Sequence, residues 1–127
     1  MAIRTELNLR LPNSPHALSA VCRLLSDERV GILALSLDTA GHLRLVVDNH
    51  VHGAATLRDR HHQVTERDVI VMTLSNTPGS LVPALRLVGD ANVNVEYAYA
   101  SAADGSAMAT VVLGVDDAQR AAAAAGV

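Results

Sequence analysis

The chain has almost no aromatic residues: they make up 2% of its 127 residues, with two Tyr and neither Phe nor Trp. Proteins that bind single-stranded nucleic acids stack the bases on such side chains. The formal net charge of −3 is also opposite in sign to the basic surface that a nucleic-acid backbone requires. We therefore expect no nucleic-acid partner.

Cysteine and long apolar runs are scarce as well. The single cysteine, Cys22, excludes a disulfide framework and any multi-cysteine zinc or iron–sulfur site. No apolar run approaches the roughly 18–20 residues of a membrane span, and the first residues do not form a signal peptide. Half of the chain is nevertheless hydrophobic, which is sufficient for a well-packed core. The composition predicts a soluble, cytoplasmic protein with no membrane partner.

The sequence repeats itself along nearly its whole length. The segment Asn13–Leu18 recurs as Asn76–Leu81, and the same offset aligns Asp27 with Asp90 and Val30 with Val93. No Pro/Gly/Ser-rich linker separates the copies. A fixed internal period is typical of duplicated structural units. The repeat predicts two units, residues 1–66 and 67–127.

Each copy has the hydrophobic pattern of a strand, a helix, two strands and a second helix. Leu7, Leu9 and Leu11 alternate with the polar residues Glu6, Asn8 and Arg10, which predicts a strand with one buried and one solvated face. The helical spacing of apolar residues after Pro15 predicts a helix. Further strands are predicted at 30–38, 42–48, 93–101 and 107–114, and further helices at 51–60 and 116–125.

A closing strand is predicted at His62–Thr65, which completes the order βαββαβ of a ferredoxin-like unit in copy one. Copy two stops at Gly126 and Val127, where its closing strand would begin. The predicted class is therefore α+β, with two ferredoxin-like units in tandem, their sheets side by side, and the second unit without its last strand. An open strand edge of this kind has to be paired by another segment or another chain.

The segment Leu74–Leu81 carries the most chemical information. Gly79 permits a positive φ or a close backbone approach, and Ser75, Asn76, Thr77 and Ser80 are residue types that cap helices. The first amides of a helix have no partner inside the helix, and the helix dipole makes them attractive to an anion. A small carboxylate could bind there, although a capped helix with no ligand fits the same residues.

This segment, the helix Ala84–Ala91 and the strand Asn92–Tyr99 closely resemble the ACT domain. The resemblance covers copy two from Val69 onward and, more weakly, copy one. It implies a small tandem ACT protein that binds an amino acid or a related small molecule where the first loop meets a neighbouring unit. It also implies a regulatory role without a catalytic group or a cofactor, and a possible partner enzyme.

The resemblance assigns ligand contacts to the loops that precede the first helix of each copy. In copy one, His16 replaces the usual Gly, and its side chain disfavours φ > 0. Copy two is therefore expected to be the better site, while the alternative is that His16 itself reaches the ligand. The candidate residues are Asn76, Thr77, Pro78, Gly79, Ser80, Leu81, Asn94 and Glu96 in copy two, and Asn13, Ser14, Pro15, His16, Ala17 and Leu18 in copy one.

Other residues that could carry chemistry have simpler interpretations. Cys22 lies in the apolar stripe of a helix, where a small hydrophobic residue is expected. The pairs His50/His52 and His61/His62 have no counterparts in copy two and no convergent carboxylate, so we interpret them as solvated or capping side chains rather than as metal ligands. No nucleophile lies beside an oriented base in the sequence pattern, so no catalytic site is predicted.

The sheet face opposite the helices is expected to be apolar, which predicts a homodimer through that face. The leading function is a non-enzymatic amino-acid sensor. The main alternative is a structural or protein-interaction module with a degenerate ligand site, and a small ferredoxin-like enzyme is a third. The residues assigned to the apolar face are Val69, Val71, Thr73, Ala98, Ala100, Ala109, Val111, Leu33, Leu35 and Leu37.

Overall fold

The structure is a computed structural model that describes residues 2–124. Its contacts divide the chain into two compact units, Thr5–Arg67 and a second unit that runs from Asp68 onward and includes residues 2–4. The elements are β1 (Ala2–Arg10), α1 (Ala17–Asp27), β2 (Ile32–Leu37), β3 (His42–Val47), α2 (His50–Asp59), β4 (Thr65–Ser75), α3 (Leu81–Asp90), β5 (Val95–Ser101), β6 (Met108–Val115) and α4 (Ala118–Ala124).

The first unit is an antiparallel sheet in the order β2-β3-β1. The alternating leucines of β1 and β3 point to one face, where α1 and α2 cover them. We call the other face of each sheet the open face. Burial of this leucine layer supplies most of the unit's stabilisation, because apolar area removed from water is the main favourable term in folding. Its largest fully buried members are Leu7, Leu25, Leu43, Leu45 and Leu57.

The second unit has the same layout, with the antiparallel order β4-β6-β5. Its core joins Ile70, Met72 and Leu113 of the strands to Val88 of α3 and Ala121 of α4. The tandem ferredoxin-like order predicted from the repeat is confirmed. The predicted end of copy two falls on residues 125–127, which lie outside the described residues.

Backbone details repeat between the copies as well. In the first unit, Gly31 N–H donates to Asp48 Oδ1 at 2.9 Å, and Asp48 N–H donates back to Gly31 O at 2.9 Å. In the second, Asn94 N–H donates to Asp116 Oδ1 at 3.0 Å, and Asp116 N–H donates to Asn94 O at 3.2 Å. The duplication is therefore structural and not only a similarity of composition.

The closing strand predicted at His62–Thr65 is wrong in its bounds. Residues 62–64 are not in a strand, and β4 begins at Thr65 and continues to Ser75. Residues 63–75 contain no Gly or Pro, so nothing in the sequence interrupts the strand. The predicted unit boundary, between residues 66 and 67, falls inside this strand and stays a prediction.

The predicted composition of the open face is confirmed for Val71 and Thr73, which alternate along β4 with the helix-facing Met72. It is wrong for the residues assigned to that face on β2, β5 and β6. Leu35 and Leu37 are paired with Leu45 and Leu43, which lie under the helices. Register shifts between Ile32 and Ala34 and between Val95 and Tyr97 add a residue that reverses the alternation of side chains beyond it. The residues that lie on the helix-covered face for this reason are Leu35, Leu37, Ala98 and Ala100. On β6, Ala109 and Val111 lie on the same face, because they pair with the helix-facing Leu74 and Met72 of β4.

The open face also carries aromatic and charged residues. Tyr97 and Tyr99 stack there with ring centroids 6.4 Å apart, and the Tyr97 ring fills the space where Gly114 has no Cβ. Glu6, predicted to be solvated, is completely buried. Its Oε1 accepts a hydrogen bond from Asn8 Nδ2 at 2.9 Å, which satisfies part of the requirement that a buried polar group be bonded.

Candidate functional site

The loop between β4 and α3, residues 76–80, presents free backbone amides. Gly79 has φ = 81°, and apart from Gly79 and its two chain neighbours no atom lies within 4 Å of the position that a Cβ would take there. Ser80 precedes α3 but makes no side-chain capping bond. Within residues 2–124, the N–H groups of Gly79 and Leu81 have no hydrogen-bond acceptor, so they remain available to an anion.

Asn76 fixes the base of this loop. Its N–H donates to Ala107 O at 2.9 Å, and its Nδ2 donates to Ala103 O at 3.2 Å and to Ser106 O at 3.1 Å. Both hydrogens of the side-chain NH2 group are therefore committed to the β5–β6 hairpin, and only the side-chain carbonyl oxygen of Asn76 is left to accept a hydrogen bond from a ligand. Ser75 Oγ lies 3.2 Å from Thr77 Oγ1.

A cavity of about 210 Å³ opens beside the loop; we call it the copy-two cavity. It brings together Asn76, Thr77, Gly79, Ser80 and Leu81, with Ala100 of β5 on the far wall. Most of the side chains that line it are small, and none of those in the described part of the chain is charged. It therefore offers amide donors but no counter-charge for an ammonium group.

Asn94 and Glu96 do not join this cavity within their own unit. Ser75 is paired with Met108 at one end of β6, whereas Val95 is paired with Val115 at the other end. Strands rise about 3.3 Å per residue, so the two ends of β6 are separated by roughly 20 Å. The structure keeps these two predicted residues away from the loop that precedes α3.

The equivalent loop of copy one, residues 13–16, adopts the same turn despite its different sequence. His16 has φ = 69°, the left-handed region that its side chain was expected to avoid. Histidine, like Asn and Asp, enters this region more often than most other side chains do. His16 is exposed, so its imidazole does not collide with the core. The expectation that His16 disfavours a positive φ is therefore wrong, whereas the preference for copy two stays a prediction.

The cavity at this loop, the copy-one cavity, is the larger of the two at about 520 Å³. Leu18, Cys22 and Leu37 form apolar walls, and Asp38 is among the lining residues. Cys22 is half-buried. Among the described residues, the N–H groups of His16 and Leu18 have no acceptor. This volume lies in the usual range for small-molecule sites.

Asp38 is the functional candidate that sequence reasoning missed. His42 N–H donates to its Oδ1 at 3.0 Å, and this bond lowers the pKa of the Asp38 carboxyl below 3.8, with smaller help from Ala40 N–H and the charges of His42 and Arg44. Slight desolvation of the carboxylate opposes this lowering of the pKa. The group is therefore ionised at neutral pH. The signal was present in the repeat, because the residue of copy two that aligns with Asp38 is the uncharged Ser101.

Other chemistry finds little support in the described residues. No group of three or more His, Cys, Asp or Glu among residues 2–124 is arranged to hold a metal ion. No helix in this part of the chain is long and apolar enough to cross a membrane.

Comparison with known proteins identifies the family. The sequence model of the ACT domain pair matches residues 1–124. Protein BT0572 from Bacteroides thetaiotaomicron superposes with a TM-score of 0.87 at 25% identity, over 98% of this chain and 87% of that one. The ligand-free regulatory subunit of aspartate kinase from Thermus thermophilus gives a TM-score of 0.70 at 14% identity, over 98% and 92%. No curated protein matches the sequence. The chain belongs to the family of paired ACT domains.

Proposed function

We propose that the chain is a non-catalytic regulatory protein that binds an amino acid at the loops preceding α1 and α3. The family is a regulatory domain type, and several proteins of similar fold are described as regulatory subunits or domains of aspartate kinase. The observation that carries the proposal is the pair of cavities beside free helix amides.

The copy-one cavity has the charge distribution that a zwitterion requires. The free amides of His16 and Leu18 can hold a carboxylate, because they lie at the positive end of the α1 dipole. Asp38 supplies the negative group for the ammonium. The apolar walls, Leu18, Cys22 and Leu37, suit an aliphatic side chain. These features favour copy one as the amino-acid site. That copy two is the better site stays a prediction, which the thermal-shift screen described below also tests.

The copy-two cavity would bind a smaller ligand or one without an ammonium group, because no charged residue faces its amides. Asn94 and Glu96 lie at the other end of β6, so we propose that they contribute to a ligand site only from a second copy of the chain.

A thermal-shift screen of the twenty amino acids tests the proposal. A ligand that binds the folded state raises the melting temperature. We expect one class of amino acid to do so in the wild type, and Asp38→Asn to abolish the shift if copy one is occupied. Gly79→Asp should abolish the shift if copy two is occupied, since it places a negative charge beside the amides that would hold the carboxylate. His52→Gln, which changes an exposed residue that lines neither cavity, is the matched control.

The absence of a shift with every amino acid would contradict the sensor and support the alternative, a protein-interaction module. One observation favours that alternative: Leu33, Leu35 and Leu37 of β2 are 47%, 41% and 41% exposed, and such a row suits a protein partner. The partner would be an enzyme or a second copy of the chain.

A further inference from the structure

A cavity of about 510 Å³ lies in the first unit and shares no lining residue with the two loop cavities. It is formed by the end of β1, the start of β3 and the segment that follows α2. The side chains that matter for its chemistry are Asn8, Arg10, His42, His61, His62 and Gln63. We call it the histidine cavity.

The lining of the histidine cavity has a formal charge opposite in sign to that of the whole chain. It collects one guanidinium and three of the chain's six imidazoles, and no carboxylate is among its lining residues, although the chain as a whole has a net charge of −3. The amides of Asn8 and Gln63 and the hydroxyl of Thr65 add neutral donors. A concave surface rich in donors and free of carboxylates is suited to an oxyanion.

Two of these side chains are held in place before any ligand arrives. His42 Nε2 lies 2.8 Å from Asn8 Oδ1, and Asn8 Nδ2 donates to the buried Glu6 at 2.9 Å. Because Nδ2 of Asn8 is the donor to Glu6, its Oδ1 has to accept, so His42 Nε2 carries a proton. This chain fixes the His42 ring and its tautomer at the cavity wall.

Arg10 is positioned next to His42. The two residues are direct partners across the β1–β3 pair, so their side chains emerge side by side on the same face. Arg10 Nη1 donates to Ala40 O at 3.2 Å, which orients the guanidinium while leaving its other N–H groups available. A guanidinium has five N–H donors.

We propose that the histidine cavity binds a small organic oxyanion, a phosphate ester or a polycarboxylate, as a second ligand site distinct from the amino-acid loops. Arg10 supplies the fixed charge, and the rings of His61 and His62 supply further N–H donors. His42, whose Nε2–H is committed to Asn8 Oδ1, positions the Asn8 amide at the wall. A volume of about 510 Å³ is within the range of metabolite-sized ligands and exceeds that of an inorganic ion. The proposal does not depend on whether the loops bind an amino acid.

Titration of the full chain with glycerol 3-phosphate and, separately, with citrate tests the site, with the histidine ring signals followed by NMR. We expect saturable shifts confined to His42, His61 and His62 with at least one probe, and the stronger binder identifies the oxyanion class. Arg10→Gln should weaken binding about tenfold or more, since it removes charge-assisted hydrogen bonds, and Arg10→Lys should restore part of it.

Matched controls separate this site from general charge effects and from the loops. Arg23→Gln removes an exposed arginine of the same unit, whose side chain is 84% exposed, and should leave the affinity unchanged. Gly79→Asp should also leave it unchanged. Shifts spread evenly over all six histidines, the absence of saturation with both probes, or saturable binding of Zn²⁺ alone would each overturn the proposal.

Discussion

Gly79 and Gly89 show how backbone conformation decides the effect of one methyl group. At both residues the space that a Cβ would occupy is open, with no atom within 4 Å, but only Gly79 has a positive φ. We expect Gly79→Ala to lower the free energy of unfolding by about 1 kcal/mol, because L residues are strained there. Gly89→Ala, in α3, should raise it by about 0.5–1 kcal/mol. Urea unfolding of both variants measures this, and equal changes would contradict the difference in backbone conformation.

Asp38 gives the stability a defined pH dependence. Its folded-state pKa is lowered, first of all by the bond from His42 N–H, so its contribution is present above the usual value of 3.8 and is lost as the pH falls through the folded-state pKa. Asp38→Asn should therefore lower the urea midpoint at neutral pH, and the difference from wild type should shrink as the pH falls below 3.8. Asp104→Asn, in the second hairpin, is the control. A difference that grows in acid would refute this account.

At the scale of the elements, Asn76 joins β4 to the β5–β6 hairpin through two side-chain bonds. A hydrogen bond contributes about 0.5–1.5 kcal/mol net, so we expect Asn76→Ala to cost roughly 1–2 kcal/mol in urea unfolding. The repeat supplies a matched control: Asn13 occupies the same position in copy one, and its side chain makes no hydrogen bond within residues 2–124. Asn13→Ala should change stability by only a few tenths of a kcal/mol. Equal costs would show that the hairpin bonds carry no stability.

The elements could be predicted from the sequence because their signals are local. Apolar periodicity predicted α1, and the alternation of Leu7, Leu9 and Leu11 with polar residues predicted β1. The faces of β2 and β5 could not be predicted, because one inserted residue at each bulge reverses them. In the loop that precedes α3, Gly79 was expected to permit a positive φ and has one, whereas the size of each cavity depends on side-chain packing that no local pattern encodes.

At the scale of the whole molecule, the observed side-chain directions of β2 change where a dimer contact is expected. The homodimer stays a proposal, but the leucines that motivated it lie along β2 and not on the open face. A strand with a single neighbour in its sheet can pair with another chain. We expect wild-type protein to have the mass of a dimer in light scattering, and Leu35→Arg to reduce it to that of a monomer.

Val51→Arg is the control for this experiment, since Val51 is 69% exposed on α2 and should leave the mass unchanged. A monomeric wild type, or a dimer that persists in Leu35→Arg, would rule out the β2 contact.

The single thiol of the chain has a practical consequence. Cys22 is half-buried in the wall of the copy-one cavity, and the sequence has no other cysteine. Alkylation by a maleimide therefore reports on one place only, and a bound amino acid should slow it in proportion to occupancy. The wild-type protein thus contains its own chemical reporter, which can read the filling of copy one without any engineered label.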